Sequence, residues 1–363
     1  MSHSTVTPAS GTPISGTHGS PVPAAGGHGS VTTPAGQLRL LGAADVERLA
    51  DWGEAIDALR TAYRRHLTAE MAPMRSMARD TGVWLRGMTA ISTSGDHVGA
   101  KLITVNRQNV KASYTILLID RQVGTLRAIV DGNHITGLRT AATSAVFVDA
   151  AAPRRPLSVA VIGSGFEAYN HLLAVSTIRA IASAAVFSPR EASRQSFAER
   201  ARAGTGVEVR TAVSAEEAAR GADVILCAAR SRDESPTLRG AWVEPGTTVV
   251  SIGSTLPEQR EVGTDLLAGA ARIVADMVEE VTEDTGDFLA ARAEGIDLDG
   301  RVFSLADIVS GRRAARENDE EIVVYKSVGS GLQDLVIAEQ ILIRAEHLGL
   351  GTVVDSPIQP INK

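Results

Sequence analysis

The chain contains a single cysteine, Cys227, so an internal disulfide is excluded and a reducing cytoplasm is the expected location. No apolar run approaches the ~20 residues that a helix needs to span a bilayer, so no membrane partner is expected. Aromatic residues make up only 4% of the sequence, and no basic run is interleaved with them. Together with a net charge of -6, this composition argues against nucleic acid as a partner.

The first 37 residues lack Asp, Glu, Lys and Arg and consist mostly of Gly, Ser, Thr, Pro and Ala. Such a segment has too little apolar side chain to offset the entropy cost of ordering, so residues 1–37 are predicted to form a disordered tail. His3, His18 and His28 lie singly in this tail. Because no cluster of His, Cys and Asp in the chain has metal-ligand spacing, no metal is expected.

Two different patterns follow the tail. Up to about residue 153, a helical stretch precedes HVGAKLITV, YTILLID and TLRAIVDG, whose short separations predict antiparallel strands. This block ends in HITGLRTAATSAVFVDAAA, which predicts a helix with Thr136 as N-cap and with Arg139 and Thr140 in its first turn. From Leu157 strands and helices alternate, which predicts an α/β fold with a parallel sheet. A strand, a glycine turn and a long amphipathic helix close the chain.

The turn after the strand VAVI carries the spacing of a dinucleotide fingerprint, with Gly163, Gly165 and Ala168 opening a helix. The first glycine allows the tight turn, the second lets phosphate oxygens approach the main chain, and the alanine lets helix and strand pack closely. Free N–H groups at the helix start favour a pyrophosphate. The alternative is a glycine-rich turn in a buried core. The predicted cofactor-binding residues here are Gly163, Ser164, Gly165, Phe166, Glu167 and Ala168.

The end of the next strand indicates which dinucleotide binds. An acidic residue there would accept a hydrogen bond from the ribose 2′-hydroxyl of NAD, but this chain has Ser188, followed by Arg190 and Arg194. No carboxylate repels a 2′-phosphate, and a guanidinium can bind one in bidentate fashion. NADP(H) is therefore favoured over NAD(H), with a solvated helix face as the alternative role of the two arginines.

Three basic residues suit a substrate carboxylate. Lys101 lies in a strand among apolar neighbours, where an idle ammonium would be costly to bury. Arg139 is unfavourably placed for the dipole of the predicted helix unless an anion binds there. Arg75 lies in a predicted loop. Ordinary surface or salt-bridge roles remain the alternative for each of them.

Five stretches of the sequence together resemble the ornithine cyclodeaminase/μ-crystallin family. They are GAKLITV, DGNHITGLRTAATSA, AVIGSGFEA, VVSIGSTLPEQREV and YKSVGSGLQDLVIAE. The resemblance runs from about residue 40 to the end and implies a homodimer. It implies that 38–153 and 323–363 form an α+β substrate-binding and dimerisation domain, into which a Rossmann-type NAD(P)-binding domain, 154–322, is inserted.

The resemblance also implies roles for single residues. Arg75, Lys101 and Arg139 fall where the family binds the carboxylate of an amino or imino acid. Thr140 falls close to the cofactor phosphates. Gly329 falls near the nicotinamide, which a residue without a side chain lets approach.

One position departs from the cyclodeaminases, which have an aspartate two residues before a proline. Here Thr255 stands two residues before Pro257. A hydroxyl can hydrogen-bond but cannot act as a carboxylate base at neutral pH. Ornithine cyclisation is therefore disfavoured, and the μ-crystallin-like reductases, which also lack this aspartate, are the nearer match.

The predicted function is reduction of a 2-imino acid or cyclic ketimine to an amino acid by NAD(P)H. The substrate either arrives as an iminium or receives a proton from Lys101 or a water, and Thr255 orients it. The alternatives are an ornithine or lysine cyclodeaminase, an amino-acid dehydrogenase, and a non-enzymatic protein that binds small ligands in the presence of NADPH. Further acid–base candidates, each with a structural alternative, are His134, Glu261, Asp276 and Asp287.

Overall fold

The computed structural model describes residues 33–34, 36–106, 109, 111–231 and 233–361. Residues 1–32 and 35, which make up most of the predicted tail and include His3, His18 and His28, lie outside the described residues. Gln37, the last residue of the predicted tail, belongs to a strand, β1 (Gln37–Leu41). Its side-chain amide donates a hydrogen bond to Asp355 Oδ1 in the C-terminal strand.

Helices and strands are numbered in chain order. The helices are α1 (Ala43–Leu49), α2 (Trp52–Arg64), α3 (Gly132–Ala151), α4 (Phe166–Ile178), α5 (Glu191–Thr205), α6 (Ala215–Ala219), α7 (Thr264–Gly269), α8 (Val278–Asp284), α9 (Gly286–Ala293), α10 (Leu305–Val309) and α11 (Gly331–Leu348). The strands are β1 (Gln37–Leu41), β2 (Ser76–Asp80), β3 (Val83–Ile91), β4 (His97–Asn106), β5 (Lys111–Asp120), β6 (Leu126–Asp131), β7 (Leu157–Ile162), β8 (Ile181–Phe187), β9 (Val209–Thr211), β10 (Val224–Cys227), β11 (Thr248–Ser251), β12 (Arg272–Ala275), β13 (Val302–Ser304), β14 (Val323–Lys326) and β15 (Thr352–Asp355).

The chain forms two compact units. The first comprises the described residues up to Arg139 together with those from Ser330 onward. It contains a 7-stranded sheet in the order β15-β1-β6-β5-β4-β3-β2. The predicted antiparallel runs are β4, β5 and β6, and they pair as expected. Helix α11 packs against β3, β4 and β5, so the face of the sheet that carries Lys101 is covered.

The second unit, Thr140–Gly329, contains an 8-stranded sheet in the order β13-β12-β14-β11-β10-β7-β8-β9. All of its strand pairs are parallel. Strands β10, β11 and β14 are buried at every residue, as expected for central strands that helices cover on both faces. The predicted α/β fold class with a parallel sheet is confirmed.

Two boundaries differ from those predicted. Strand β14, predicted to open the C-terminal part of the substrate domain, instead lies between β11 and β12 in the parallel sheet. Its apolar residues are buried and both of its edges are hydrogen-bonded, so it is a central strand of that sheet. The first unit also ends within α3, at Arg139, rather than after that helix.

Helix α3 begins earlier than its sequence pattern predicts. Asp131, the last residue of β6, accepts a hydrogen bond from the Asn133 backbone N–H at 3.0 Å, and the helix starts at Gly132. Thr136 is therefore not the N-cap, and its hydroxyl instead donates to the Gly132 carbonyl one turn back, at 2.7 Å. Arg139 and Thr140 consequently lie beyond the first turn.

Among the described residues, every helix is too short or too polar to span a bilayer.

Candidate active site

The glycine turn of the second unit has the geometry of a dinucleotide cradle. Gly163 follows β7 with φ +116°, and a Cβ on it would lie 2.6 Å from the Ala228 carbonyl oxygen, so only glycine fits. Gly165 is the N-cap of α4, and nothing lies within 4 Å of a Cβ placed on it. The first-turn N–H groups of a helix have no intrahelical acceptor. The turn therefore combines open space beside the main chain with backbone donors, which fits a pyrophosphate.

The residues predicted to select the cofactor lie at the adjacent strand end. Ser164 Oγ donates to Ser188 Oγ at 3.0 Å, which joins the cradle to the end of β8. Arg194 is partly committed elsewhere, because its guanidinium donates to the Ser188 carbonyl at 2.8 Å. Arg190 is exposed at the N-cap position of α5. Of the two arginines, Arg190 is therefore the more exposed.

Gly329 lies in the turn after β14, at the carboxyl edge of the same parallel sheet. Its φ of +80° favours glycine, and its N–H donates to Asp276 Oδ2 at 2.8 Å. Thr255 lies in the loop after β11, and its N–H donates to Gln259 Oε1 at 3.0 Å. Ligands of open α/β sheets bind outside the carboxyl ends of the strands, so both residues stand at the appropriate edge. Thr140, the first residue of the second unit, is buried on α3.

In the first unit, two of the predicted cations meet at one buried carboxylate. The ammonium of Lys101, on β4, lies 2.7 Å from Asp334 Oδ2, and both side chains are fully buried. Arg139 Nε lies 3.1 Å from Asp334 Oδ1, and its Nη1 donates to Gln333 Oε1 at 3.0 Å. Lys101 also donates to Thr136 Oγ1 at 3.5 Å. Asp334 thus orients both cations, in the first turn of α11.

Burial lowers the pKa of Lys101 from 10.5 to about 8. The Asp334 carboxylate opposes this decrease in the pKa, whereas the positive charges of Arg139 and Arg86 add to it. An ammonium with a pKa close to neutral can both hold an anion and give up a proton. This arrangement suits a residue that binds a carboxylate and protonates a neighbouring imine.

Two charged residues near Lys101 are absent from the sequence-based prediction. The only sign of Asp334 in the sequence is its position, as an acidic residue in the GLQDLVIAE stretch directly after the glycine turn. Arg86 lies on β3, where Met88 pairs with Lys101, and its guanidinium stands 5.3 Å from the centre of the Trp84 ring. Arg75 is half-buried just before β2, at the edge of the same sheet. Its contact with a substrate carboxylate stays a prediction.

Three large aromatic residues, Trp84, Tyr114 and Trp242, are divided between the two units. Trp84 and Tyr114 pack against Met88, Ile103 and Val105, on the Lys101 side of the first sheet. Trp242 packs against the core of the second unit instead.

The alternative proton donors in the second unit have structural partners. Asp276 accepts hydrogen bonds from the Ser327 hydroxyl and from two backbone N–H groups of the turn after β14. Burial tends to raise the pKa of Asp287, but the Lys326 ammonium brings it below its usual value, so this carboxyl group stays ionised. Burial raises the pKa of Glu261, but this side chain accepts from three donors. These contacts favour the structural alternative for all three residues.

His134 and Cys227 are both buried. Burial raises the pKa of the Cys227 thiol well above its usual value, and nearby Glu261 raises it further, so the thiol stays protonated. Among the described residues, no group of three or more His, Cys, Asp and Glu side chains is arranged to hold a metal ion.

Comparisons with known proteins point to one family. The model of the ornithine cyclodeaminase/mu-crystallin family matches residues 38–348. Ketimine reductase mu-crystallin of Rattus norvegicus is 31% identical over 278 residues, 74% of this chain and 83% of the relative. Delta(1)-pyrroline-2-carboxylate reductase of Bacillus cereus is 28% identical over 274 residues, with the same coverage of 74% and 83%. The structure of Thermococcus litoralis Delta(1)-pyrroline-2-carboxylate reductase with NADH and L-proline has a TM-score of 0.80 at 28% identity, covering 87% of this chain and 99% of that one.

Proposed function

The chain belongs to the ornithine cyclodeaminase/mu-crystallin family, and we propose that it reduces the C=N bond of a small 2-imino acid or cyclic ketimine with NAD(P)H, giving an amino acid. The observation that carries this proposal is the buried group of Lys101, Arg139 and Asp334 in the first unit. Two cations oriented by one carboxylate are suited to bind the carboxylate of a small organic acid. The dinucleotide cradle of the second unit supports the redox class.

Lys101 and Arg139 bind the substrate carboxylate, and Arg75 adds a third positive charge. The guanidinium gives directional hydrogen bonds, whereas the ammonium acts as a point charge. Asp334 holds both cations in place before substrate arrives, so little reorganisation is needed on binding. This arrangement aligns the imine carbon for reaction.

When bound at the dinucleotide cradle, NAD(P)H would supply the hydride. Lys101 Nζ gives a proton to the imine nitrogen and the hydride adds to the imine carbon, so the C=N bond becomes a CH–NH unit. The neutral Lys101 amine that is left then takes a proton from solvent. Thr255 orients the imine through its hydroxyl. That hydroxyl cannot take the role of a carboxylate base, so ornithine cyclisation is not proposed.

NADP(H) is the preferred cofactor in this proposal. Ser188 supplies no carboxylate at the end of β8, and Arg190, two residues further on, is exposed. A charge-assisted contact between Arg190 and a 2′-phosphate favours the phosphorylated dinucleotide.

A homodimer is the proposed assembly, supported by an apolar sheet face in the first unit. On the side opposite Lys101, Leu117 pairs with Ile129, and Val83 and Leu85 are 41% and 42% exposed. A second copy of the chain would cover these side chains and bury apolar area.

The deciding experiment supplies purified protein and NADPH with Δ1-pyrroline-2-carboxylate or Δ1-piperideine-2-carboxylate. The absorbance of the reduced nicotinamide should fall, with one amino acid formed per dinucleotide oxidised. A flat trace across a panel of cyclic imines and of keto acids with ammonia or amines contradicts the reductase. Release of ammonia from ornithine or lysine with catalytic NAD would instead identify a cyclodeaminase.

A further inference from the structure

A lysine that has no role in the proposed reaction, Lys326, is fully buried at the end of β14. It is level with the last residues of the neighbouring strands, since it pairs with Ser251 of β11 and Ala275 of β12. Ser251 in turn pairs with Cys227, which pairs with Ile162 just before the dinucleotide cradle. The ammonium therefore lies under the carboxyl edge of the sheet, where the loops of the cofactor site begin.

Lys326 makes three polar contacts within the second unit. Its Nζ lies 2.8 Å from Asp287 Oδ2 and donates to Ser254 Oγ at 2.6 Å and to Ser251 Oγ at 3.1 Å. Ser254 Oγ also donates to Asp287. The ion pair thus holds the residue immediately before Thr255.

The network continues through Glu261. Its carboxylate accepts from the Ala229 N–H at 2.9 Å, the Gly253 N–H at 2.8 Å and Ser251 Oγ at 2.6 Å. Asp287 accepts from the Glu261 N–H at 2.8 Å. The loop after β10 and the loop after β11 are therefore tied to one group, the Lys326 cluster, defined as Lys326, Asp287, Glu261, Ser251 and Ser254.

The same strand end carries the turn that contains Gly329. Lys326 is followed directly by Ser327, whose hydroxyl donates to Asp276 Oδ2 at 2.6 Å. Asp276 also accepts from the Gly329 N–H. The Lys326 cluster on one side and Asp276 on the other thus fix both loops that face the proposed nicotinamide position.

Burying three charged side chains is a costly way to stabilise a core, since apolar residues of similar volume often serve as well or better. What such a network adds is one defined arrangement of the groups that it contacts. We propose that Lys326 is a positioning residue, which acts through Ser254 and Glu261 to hold the Thr255 loop and the adjoining Gly329 turn in the one conformation that seats the nicotinamide. This inference rests on the proposed function for the identity of the bound group.

The test compares Ser254→Ala with Lys326→Met and with a control, Arg292→Met. Ser254→Ala removes the hydroxyl between the ion pair and the loop but leaves Lys326 and Asp287 together. Arg292 belongs to α9, as Asp287 does, but its pair with Glu283 is exposed, at 58% and 55%. Calorimetry measures binding of NADPH and of 2′-phospho-ADP-ribose, which carries the same phosphates and lacks the nicotinamide.

Ser254→Ala is expected to weaken NADPH binding about tenfold and to leave fragment binding within about twofold, because only the nicotinamide side loses its support. Lys326→Met should show the same selective loss, to a larger extent, if it folds. Arg292→Met should bind both ligands like the wild type. Equal weakening of both ligands in Ser254→Ala would show a merely structural role, and unchanged binding of both would also overturn the proposal.

A kinetic readout separates positioning from stability. With NADPH deuterated at the transferred position, Ser254→Ala should show a larger isotope effect on kcat than the wild type, because hydride transfer becomes more rate-limiting when donor and acceptor are misaligned. An unchanged isotope effect contradicts the inference. If the wild type binds NADPH but reduces no imine, the proposed function fails, while the binding comparison still decides the role of Lys326.

Discussion

Asp334→Asn removes the charge that Lys101 and Arg139 share while keeping the size of the side chain. The carboxylate lies 2.7 Å from the Lys101 ammonium and 3.1 Å from Arg139 Nε. Coulomb's law at an effective dielectric constant of 20 gives about 6 kcal/mol for unit charges at the shorter distance. Breaking a buried pair by removing one partner costs about 3–5 kcal/mol, because the remaining charge stays desolvated. We therefore expect several kcal/mol of destabilisation of the Lys101 ammonium.

The consequence is a change in protonation. With a pKa of about 8, Lys101 is largely protonated at pH 7.5 in the wild type. Asp334 raises this pKa, so its replacement lowers the pKa further and leaves Lys101 mostly neutral at that pH. A neutral amine has lost the proton that the imine needs and attracts a carboxylate weakly. We expect kcat/KM at pH 7.5 to fall by about 10²-fold.

The assay measures kcat/KM for Δ1-pyrroline-2-carboxylate from pH 6 to 9 at saturating NADPH. The substrate imine also titrates, but its pKa is the same with both proteins and cancels in the ratio of variant to wild type. This ratio should rise as the pH decreases, because acid restores the proton on Lys101. Asp57→Asn, whose carboxylate is 75% exposed beside Arg60, provides the control and should match the wild type. A ratio that does not change with pH would refute the reasoning.

Four further changes test the other parts of the structure. Gly165→Ala should keep the melting temperature within about 2 °C, because the added methyl meets nothing within 4 Å, yet should weaken dinucleotide binding in calorimetry at least tenfold; unchanged affinity contradicts the cradle. Arg190→Ala should lower kcat/KM for NADPH about tenfold relative to NADH, whereas an equal loss with both cofactors would remove its role in selection. Leu85→Glu should halve the mass found by light scattering, and a wild type that is already monomeric would exclude the dimer. Cys227 should resist alkylation at pH 8 in the native protein, because burial raises its pKa; rapid labelling would contradict its burial.

The glycine turn shows which parts of the site a sequence can reveal. The motif consists of a strand, two glycines and the start of a helix, all within a few residues of one another. Each glycine is needed for the local backbone geometry. Gly163 does have φ +116°, and Gly165 does cap α4. The motif does not reveal which distant residues, such as Ala228, contact this turn.

The start of α3 shows where local reasoning fails. Thr136 has the residue type of an N-cap, but Asp131 accepts the N-terminal N–H hydrogen bond one turn earlier. A capping residue is therefore not identified by type alone when two are available in succession. The strand pattern of β14 was similarly correct, whereas its membership in the parallel sheet depended on pairing with β11 and β12.

By itself, the sequence determined the alternation of strands and helices, the dinucleotide turn and the identity of the basic residues, because these depend on neighbours in the chain. Only the tertiary structure decided that Asp334, 233 residues from Lys101 and 195 from Arg139, joins these two cations. It likewise decided that Lys326 donates a hydrogen bond to Ser251, 75 residues away in the chain. The pKa of a buried charge depends on distance in space and on the exclusion of water, and neither is set by spacing along a chain.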